Sequence, residues 1–279
     1  MISIKSLNYA YSKKKKILTD ISCTLRPGYI YGLLGLNGEG KTTLIKLMAA
    51  MLLPNSGQIC YGTLQSSKRS AEYFNEVFFL PDSSKLPDLP IEKFGSLYGL
   101  FYSRYNHEEY TDYLKAFNIP IENGLSALSL GQQRKVHIAF ALACNCSVLL
   151  MDEPTNGLDI PSKTIFRKLI SKSMNEQKLY VISSHQIRDI DQLLDALLIL
   201  HERNLIVNNS LQELAQSYKI STEVQPQEEV IYTEHVFEGQ KHLVKSTGNE
   251  ENPIDIEFLF NAFTHANQPI ALWKWPYTT

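Results

Sequence analysis

The sequence contains no long hydrophobic run and few cysteines, and each absence excludes a class of protein. The longest apolar stretch, residues 136–151, is interrupted by His137 and Asn145, so it predicts a helix and a buried strand rather than a membrane span. The N-terminal segment MISIKSLNYAY alternates as a strand does and lacks the features of a signal peptide. Cysteines at positions 23, 60, 144 and 146 have neither zinc-site spacing nor the density of a disulfide scaffold. We therefore expect a cytoplasmic protein with reduced thiols.

The chain also has almost no excess of one charge. Its 27 lysines and arginines and 29 aspartates and glutamates give a formal net charge of −2. This balance gives no electrostatic indication of a nucleic-acid partner, and none is expected. The single charge run, KKKK at 13–16, lies between two strand-like segments and predicts the solvated tip of a hairpin.

Strand-like and helical segments alternate over about the first 210 of the 279 residues. ISIKSLNYAY and ILTDISCTL predict antiparallel strands, whereas YIYGLLG, SVLLMD, LYVISS and ALLIL have the continuous apolar character of buried parallel strands. EVFFL predicts a further strand, and KTTLIKLMAAML predicts a helix. A helix-rich block at about residues 91–145 interrupts this alternation. The pattern predicts an α/β fold with a parallel sheet and an inserted helical subdomain.

The alternation of strand-like and helical segments ends near residue 219. STEVQPQEE reads as a polar linker, and VIYTEHVFEGQKHLVKS predicts a hairpin. IDIEFLFNAF predicts a short amphipathic helix, and IALWKW, residues 270–275, predicts a final strand. We therefore divide the chain into a main domain, residues 1–218, and a small α+β C-terminal annex, residues 219–279.

The segment GLNGEGKT, residues 35–42, matches the phosphate-loop pattern G-x-x-x-x-G-K-[ST] between a buried strand and a helix. Gly35, Gly38 and Gly40 let the main chain curl so that its N–H groups face phosphate oxygens, and the helix dipole adds attraction. Lys41 supplies a positive charge and Thr42 a hydroxyl for Mg²⁺. A glycine-rich turn would share the pattern without the flanking strand and helix. The predicted ATP-binding residues here are Gly35, Leu36, Asn37, Gly38, Glu39, Gly40, Lys41, Thr42 and Thr43.

The segment SVLLMDEP carries two acids to the end of a predicted buried strand. Asp152 is positioned to hold a magnesium ion, and Glu153 is positioned to accept a proton from an attacking water. An acidic pair at a strand end also caps turns, but a phosphate loop in the same sheet favours the catalytic interpretation.

The segment LSLGQQRK, residues 128–135, has two local interpretations. Ser129 and Gln132 have the spacing of a capping box at a helix start. A helix N-terminus after a short loop also binds anions. These residues alone do not decide between the two.

GLNGEGKTT, LSLGQQRK, LLMDEPTNGLD and VISSH occur in the order and approximate spacing of the ATP-binding cassette (ABC) proteins. The sequence therefore resembles the ATP-binding subunits of ABC transporters, and segments such as GLDIPSK resemble those of bacterial exporter-type systems. The resemblance implies a P-loop NTPase core of the ABC ATPase type with an antiparallel β subdomain.

The resemblance also implies roles for individual residues. Ser129, Gly131 and Gln132 would meet the γ-phosphate of ATP held by a second subunit, and Asp159 would communicate across that dimer. Tyr11 would stack on adenine, and His185 would contact the γ-phosphate. The catalytic residues are then Glu153, His185 and Lys41, with ATP and Mg²⁺ as cofactors.

Two positions depart from the family pattern. Leu130 stands where a second glycine is usual, so its side chain must point away from the phosphates if the motif acts. Asp82 stands where glutamine is common. Its carboxylate is a hard oxygen donor for Mg²⁺, so the predicted metal ligands are Thr42, Asp82 and Asp152.

The function implied is an Mg²⁺-dependent ATPase that dimerises around two ATP molecules and drives a separately encoded membrane permease, in export. The ATPase partner would be a second copy or a paralogous subunit, at the inner face of the cell membrane. The alternative is a soluble ABC ATPase acting on nucleic acid or the ribosome. Against this alternative, the interval between Lys41 and Ser129 has no sustained coiled-coil heptads. A regulatory subunit that only binds ATP would be expected to lack Glu153 or His185.

Overall fold

The computed structural model describes residues 1–12, 15–83, 85–237, 239–246 and 252–265. The strands are β1 (Ile2–Ser12), β2 (Lys15–Leu25), β3 (Ile30–Leu34), β4 (Ser56–Tyr61), β5 (Leu64–Gln65), β6 (Val77–Leu80), β7 (Val148–Asp152), β8 (Leu179–Ser183), β9 (Ala196–His201), β10 (Asn204–Ser210), β11 (Tyr218–Ser221), β12 (Val230–Val236) and β13 (Gly239–Lys245). The helices are α1 (Lys41–Met48), α2 (Ala71–Glu76), α3 (Ile91–Gly99), α4 (His107–Ala116), α5 (Leu130–Ala143), α6 (Ile160–Ser173), α7 (Leu211–Ser217) and α8 (Ile256–His265). Within these ranges no helix is both long enough and apolar enough to cross a membrane.

The central sheet has the strand order β10-β9-β3-β8-β7-β6. Strands β9, β3, β8, β7 and β6 run parallel, and β10 pairs antiparallel at the edge. Every residue of β3, β7 and β8 is buried because packed side chains cover both faces of the sheet. The buried parallel strands predicted from the sequence are therefore confirmed. The strand predicted at EVFFL begins at Val77, one residue later than predicted, because Glu76 is the last residue of α2.

A second sheet has the order β2-β1-β4-β5, and its buried side chains share one hydrophobic cluster with those of α1 and the central sheet. Its strands β1 and β2 are the predicted antiparallel pair. Strands β4 and β5 extend it beyond that prediction. Of the predicted KKKK hairpin tip, residues 13 and 14 lie outside the described residues.

The predicted helical subdomain contains α3, α4 and α5, which pack around an aromatic cluster. Its centre is Phe140, whose ring centroid lies 4.9 Å from that of Phe94 and 5.6 Å from that of Tyr105. The side chain of Asn106 caps α4 by accepting hydrogen bonds from two N–H groups of its first turn. Further rings around Phe140 belong to Phe78, Tyr102 and Tyr110.

The C-terminal annex is a three-stranded antiparallel sheet, β11-β13-β12, packed with helix α8. The predicted hairpin strands and the predicted amphipathic helix are present, with Phe258, Leu259 and Ala262 of α8 buried. The first strand of this sheet begins at Tyr218, the last residue of the predicted main domain. The division of the chain at that boundary stays a prediction. The predicted strand IALWKW lies outside the described residues.

The aromatic cluster yields a stability prediction. Phe140→Ala should lower the free energy of unfolding by about 3–5 kcal/mol, because it deletes a buried ring that the neighbouring helices cannot replace. Phe237→Ala is the matched control, since the Phe237 side chain is fully exposed. Urea unfolding of both variants measures the difference. Equal stabilities would contradict the packing described for the helical subdomain.

Candidate functional site

The candidate site lies where the carboxyl ends of β3, β7 and β8 meet at one edge of the central sheet. Asp152 ends β7 and lies opposite Ser183 at the end of β8. The Ser183 hydroxyl donates a hydrogen bond to Asp152 Oδ1 at 2.6 Å, and the Thr42 hydroxyl donates to Asp152 Oδ2 at 2.8 Å. The buried carboxylate of Asp152 therefore joins the phosphate loop to β7 and β8.

The phosphate loop connects β3 to α1 through residues 35–40. Lys41 begins α1 and is buried, and its ammonium donates to the carbonyl oxygens of Gly35 at 2.7 Å and Leu36 at 3.3 Å. Burial lowers the pKa of Lys41, whereas the carboxylates of Glu153, Asp152 and Glu39 raise it. A phosphate would supply the negative charge that this partly desolvated ammonium favours.

The remaining predicted residues of this loop differ in exposure. Leu36, Asn37 and Gly38 are exposed at the loop surface. The Glu39 carboxylate accepts a hydrogen bond from the Arg203 N–H at 3.2 Å, which ties the loop to the β9–β10 turn. The outer part of the loop is therefore accessible to a ligand.

Tyr11 lies beside the first turn of α1. Its hydroxyl is 3.2 Å from the Thr43 hydroxyl, and its ring packs edge-on against Tyr9 with centroids 5.1 Å apart. About half of the Tyr11 side chain is exposed. An exposed aromatic ring beside a phosphate loop is able to stack on a nucleobase, and this role stays a prediction.

Glu153 and His185 contact each other at the same edge of the sheet. The distance between His185 Nδ1 and Glu153 Oε2 is 2.7 Å, and the main-chain N–H of His185 donates to the same oxygen at 3.2 Å. Glu153 has a φ of 46°, in the left-handed region that non-glycine residues rarely adopt. Such a conformation costs on the order of 1–3 kcal/mol and persists only where surrounding contacts impose it.

Asp82 is exposed and lies next to the segment that follows Glu153. Asp82 Oδ1 accepts a hydrogen bond from the Asn156 side-chain amide at 2.9 Å. This contact to Asn156 was not predicted from the sequence. The predicted role of Asp82 as a magnesium ligand stays a prediction.

The segment LSLGQ forms the start of α5, and its capping box is present. Ser129 Oγ accepts from the Gln132 N–H, and Gln132 Oε1 accepts from the Ser129 N–H at 2.9 Å. The Leu130 side chain is 83% exposed, so it points away from the protein interior. A Cβ on Gly131 would lie 2.8 Å from the Gly157 carbonyl oxygen, so this close approach requires glycine. Capping and phosphate binding remain compatible because the start of the helix is accessible.

The side chain of Asp159 caps the start of α6. Its Oδ1 accepts a hydrogen bond from the Ser162 N–H at 2.8 Å. Hydrogen bonding by the side chain and the N–H of Ser162 lowers the pKa of this exposed carboxyl group. Lys135 Nζ of α5 lies 3.7 Å from Asp159 Oδ2. The predicted role of Asp159 across a dimer stays a prediction.

Three further residues at this edge were not predicted: Arg134, Ser183 and Asn156. Arg134 is buried, although arginine is rarely so. One sequence signal for it exists, because Arg134 falls at helical spacing with Ile138 and Ala141 on the buried face of α5.

The side chains near Asp152 fit a magnesium ion. A threonine hydroxyl and a carboxylate are hard oxygen donors, and here they lie in hydrogen-bond contact. Within the described ranges no group of three or more His, Cys, Asp or Glu side chains forms a metal-binding cluster. One carboxylate beside one hydroxyl suits Mg²⁺, which is usually held by one or two carboxylates together with substrate phosphates.

Fold and site together define a P-loop ATPase of the cassette type. A family model described as ABC transporter matches residues 18–156. The ABC transporter ATP-binding protein NatA of Bacillus subtilis (strain 168) is 33% identical over 231 residues, which cover 78% of this chain and 92% of NatA. The chain belongs to the family of ABC transporter ATP-binding proteins.

Two further comparisons agree with this assignment. The energy-coupling factor transporter ATP-binding protein EcfA2 of Staphylococcus aureus (strain bovine RF122 / ET3-1) is 26% identical over 267 residues, covering 88% of this chain and 92% of EcfA2. A dimeric structure of a post-hydrolysis state of the ATP-binding cassette MJ0796 bound to ADP and Pi has a TM-score of 0.66 at 20% identity. The match covers 75% of this chain and 98% of that chain, and it shows the same fold.

Gly40 provides a test of the loop geometry. Its φ is 101°, and a Cβ would lie 2.9 Å from Ile17 Cγ2, so Gly40→Ala should displace the loop. We expect ATP affinity to fall at least about tenfold, equivalent to about 1.4 kcal/mol. The control is Gly62→Ala, because Gly62 has a φ of 55° with open space around it. It should lose about 1–2 kcal/mol of stability but no affinity. Titration calorimetry with ATP compares the two, and equal affinities would refute the loop assignment.

Proposed function

We propose that this protein is the Mg²⁺-dependent ATPase subunit that drives a separately encoded membrane permease and dimerises around two ATP molecules. One observation carries the proposal. The Glu153 carboxylate, in contact with His185, lies at the same sheet edge as the hydrogen-bonded pair Thr42 and Asp152. A proton acceptor, a metal-binding pair and a phosphate loop thus share one edge of a parallel sheet.

The phosphate loop and Lys41 bind and orient the triphosphate. Main-chain N–H groups and the start of α1 attract phosphate oxygens, and the Lys41 ammonium exchanges its loop carbonyls for them. Thr42 and Asp152, with Asp82 as a third candidate, would hold Mg²⁺, which neutralises phosphate charge when bound.

Glu153 accepts the proton of the attacking water. Its side chain is mostly shielded, and its contact with His185 fixes one carboxylate oxygen. The other oxygen is left to orient a water molecule. His185, in turn, is placed by Glu153 and by Gln186, whose Nε2 lies 3.3 Å from His185 Nε2. We assign His185 the γ-phosphate contact.

The second half of each ATP site would come from a partner subunit, either a second copy or a paralogue. The exposed start of α5, with Ser129, Gly131 and Gln132, supplies N–H groups and a hydroxyl for the γ-phosphate. Asp159 and Tyr11 complete the proposed contacts, to the partner and to adenine. The dimeric state of the structurally similar cassette supports this arrangement.

Coupling to a permease is supported by the relatives, whose names identify them as transporter ATP-binding proteins. We place the protein at the inner face of the membrane, held there by the permease. We propose export as the direction, which vesicle transport assays with the co-purified permease would test. A non-transport role for the ATPase is not favoured by any of these relatives.

The role of Glu153 is tested by Glu153→Gln. Removing a positioned general base should lower turnover by about 10²–10⁴-fold, while ATP binding persists and ATP-bound dimers accumulate. Glu122→Gln, at an exposed loop position, is the control and should leave turnover unchanged. Steady-state phosphate release and size-exclusion chromatography measure both effects. Wild-type turnover by Glu153→Gln would refute the assignment.

The start of α5 is tested at its exposed N-cap by Ser129→Asp, with the neutral, isosteric Ser129→Asn as control. Aspartate and asparagine both cap helices as serine does, so neither variant should destabilise the monomer. In a dimer the introduced carboxylate would face the γ-phosphate and repel it. We therefore expect unchanged thermal stability of the monomer but loss of ATP-driven dimerisation in the Glu153→Gln background. If Ser129→Asp dimerises as readily as Ser129→Asn, LSLGQ serves only as a helix cap.

A further inference from the structure

Arg134 connects helix α5 to the carboxyl ends of two neighbouring strands, β6 and β7, the second of which carries Asp152 and Glu153. Its guanidinium donates to the carbonyl oxygens of Asp152 at 3.0 Å, Glu153 at 2.8 Å and Pro154 at 3.2 Å. It also donates to the carbonyl oxygen of Pro81, just beyond β6. A single side chain thus holds the carboxyl ends of β6 and β7 against α5.

These acceptors explain how a buried guanidinium is tolerated. The side chain is 7% exposed, and burial lowers its pKa to about 10, against the opposing effect of the carboxylates of Asp82, Asp152 and Glu153. It therefore stays charged at neutral pH. A buried charge is costly unless it is hydrogen-bonded, and the four carbonyl oxygens accept from four of the five N–H donors of the guanidinium.

The contacts of Arg134 bear directly on the unusual main chain of Glu153. The Glu153 N–H donates to the Ser183 carbonyl and hydroxyl oxygens, both at 3.1 Å, and the Glu153 carbonyl accepts from Arg134. The left-handed conformation at Glu153 is therefore held on both sides. Its side-chain direction, which sets the contact with His185, depends on these bonds.

Arg134 also lies one turn from the residues proposed to meet the partner's ATP. Gly131 contacts the Gly157 carbonyl, so the start of α5 is packed against the segment that follows Glu153. A shift of α5 would therefore move the guanidinium and the main chain of Glu153 together.

We propose that Arg134 is a positioning residue that fixes the Glu153 carboxylate for catalysis and links its orientation to the position of helix α5. This inference rests on the proposed role of Glu153 as general base. The competing interpretation is that Arg134 only stabilises the fold.

The variants Arg134→Met and Arg134→Lys separate the two interpretations. Arg134→Met keeps the length of the side chain but removes all donors, and a displacement of about 1 Å at a reacting group costs about 100-fold in rate. We expect kcat to fall by that order, with the ATP dissociation constant unchanged. Arg134→Lys retains a charge and some donors and should recover part of kcat. If Arg134→Met does not fold, Arg134→Lys is used for the test, and we expect it to have a reduced kcat at unchanged ATP affinity.

Arg69→Met is the matched control. Arg69 also donates to main-chain carbonyls, those of Ala50 at 2.8 Å and Met51 at 3.0 Å, at the end of α1 rather than at the candidate site. It should lose stability with kcat unchanged. The proposal is overturned if Arg69→Met and Arg134→Met lose kcat in the same proportion to their losses of stability. It is also overturned if Arg134→Met raises only the KM for ATP.

A double-mutant cycle with Glu153→Gln distinguishes this inference from the role of Glu153 itself. If Arg134 acts through Glu153, Arg134→Met should produce almost no further loss of turnover in the Glu153→Gln background. Additive losses would overturn the positioning role and leave Glu153 as the base. Wild-type turnover by Glu153→Gln alone would instead overturn the proposed function.

Discussion

The hydrogen bonds that the Asp152 carboxylate accepts from Thr42 and Ser183 are the constraint on which the site depends. They join the loop after β3 to the ends of β7 and β8. The strand order β3-β8-β7 makes this possible because parallel neighbours end at the same edge of the sheet. Glu153 directly follows β7 and His185 lies two residues beyond the end of β8, so their contact is a consequence of the same register.

The site also concentrates opposite charges in a partly dry environment. Lys41 and Arg134 are buried cations, and Asp152 is a buried anion. Arg134 donates to four main-chain carbonyls of other segments, whereas the Lys41 ammonium donates to two carbonyls of its own loop. Burial therefore lowers the pKa of Lys41, and a triphosphate would restore an environment that favours its charge. Ligand binding and the electrostatics of the free protein are coupled through this one side chain.

The sequence predicted the features that short segments encode. The phosphate loop, Asp152, the buried strands and the capping box at Ser129 each arise from residues adjacent in the chain. Arg134 was missed because its acceptors are main-chain carbonyls, which any residue supplies, and the farthest is 53 positions away. The contact between Asp82 and Asn156 likewise spans 74 positions. Strands β4 and β5 were missed because they are short and mostly exposed or half-buried, so they have little apolar periodicity.

The central claim is that each ATP site is built from the phosphate loop of one subunit and the start of α5 of another. Mixing two variants that should each be inactive, Lys41→Ala and Ser129→Asp, tests it most directly by the rate of ATP hydrolysis. A mixed dimer would contain one site in which both the phosphate loop and the opposing α5 are intact, so turnover should return on mixing. If the mixture stayed as inactive as either variant alone, with mixed dimers present, the two elements would act within one chain and the account would be contradicted.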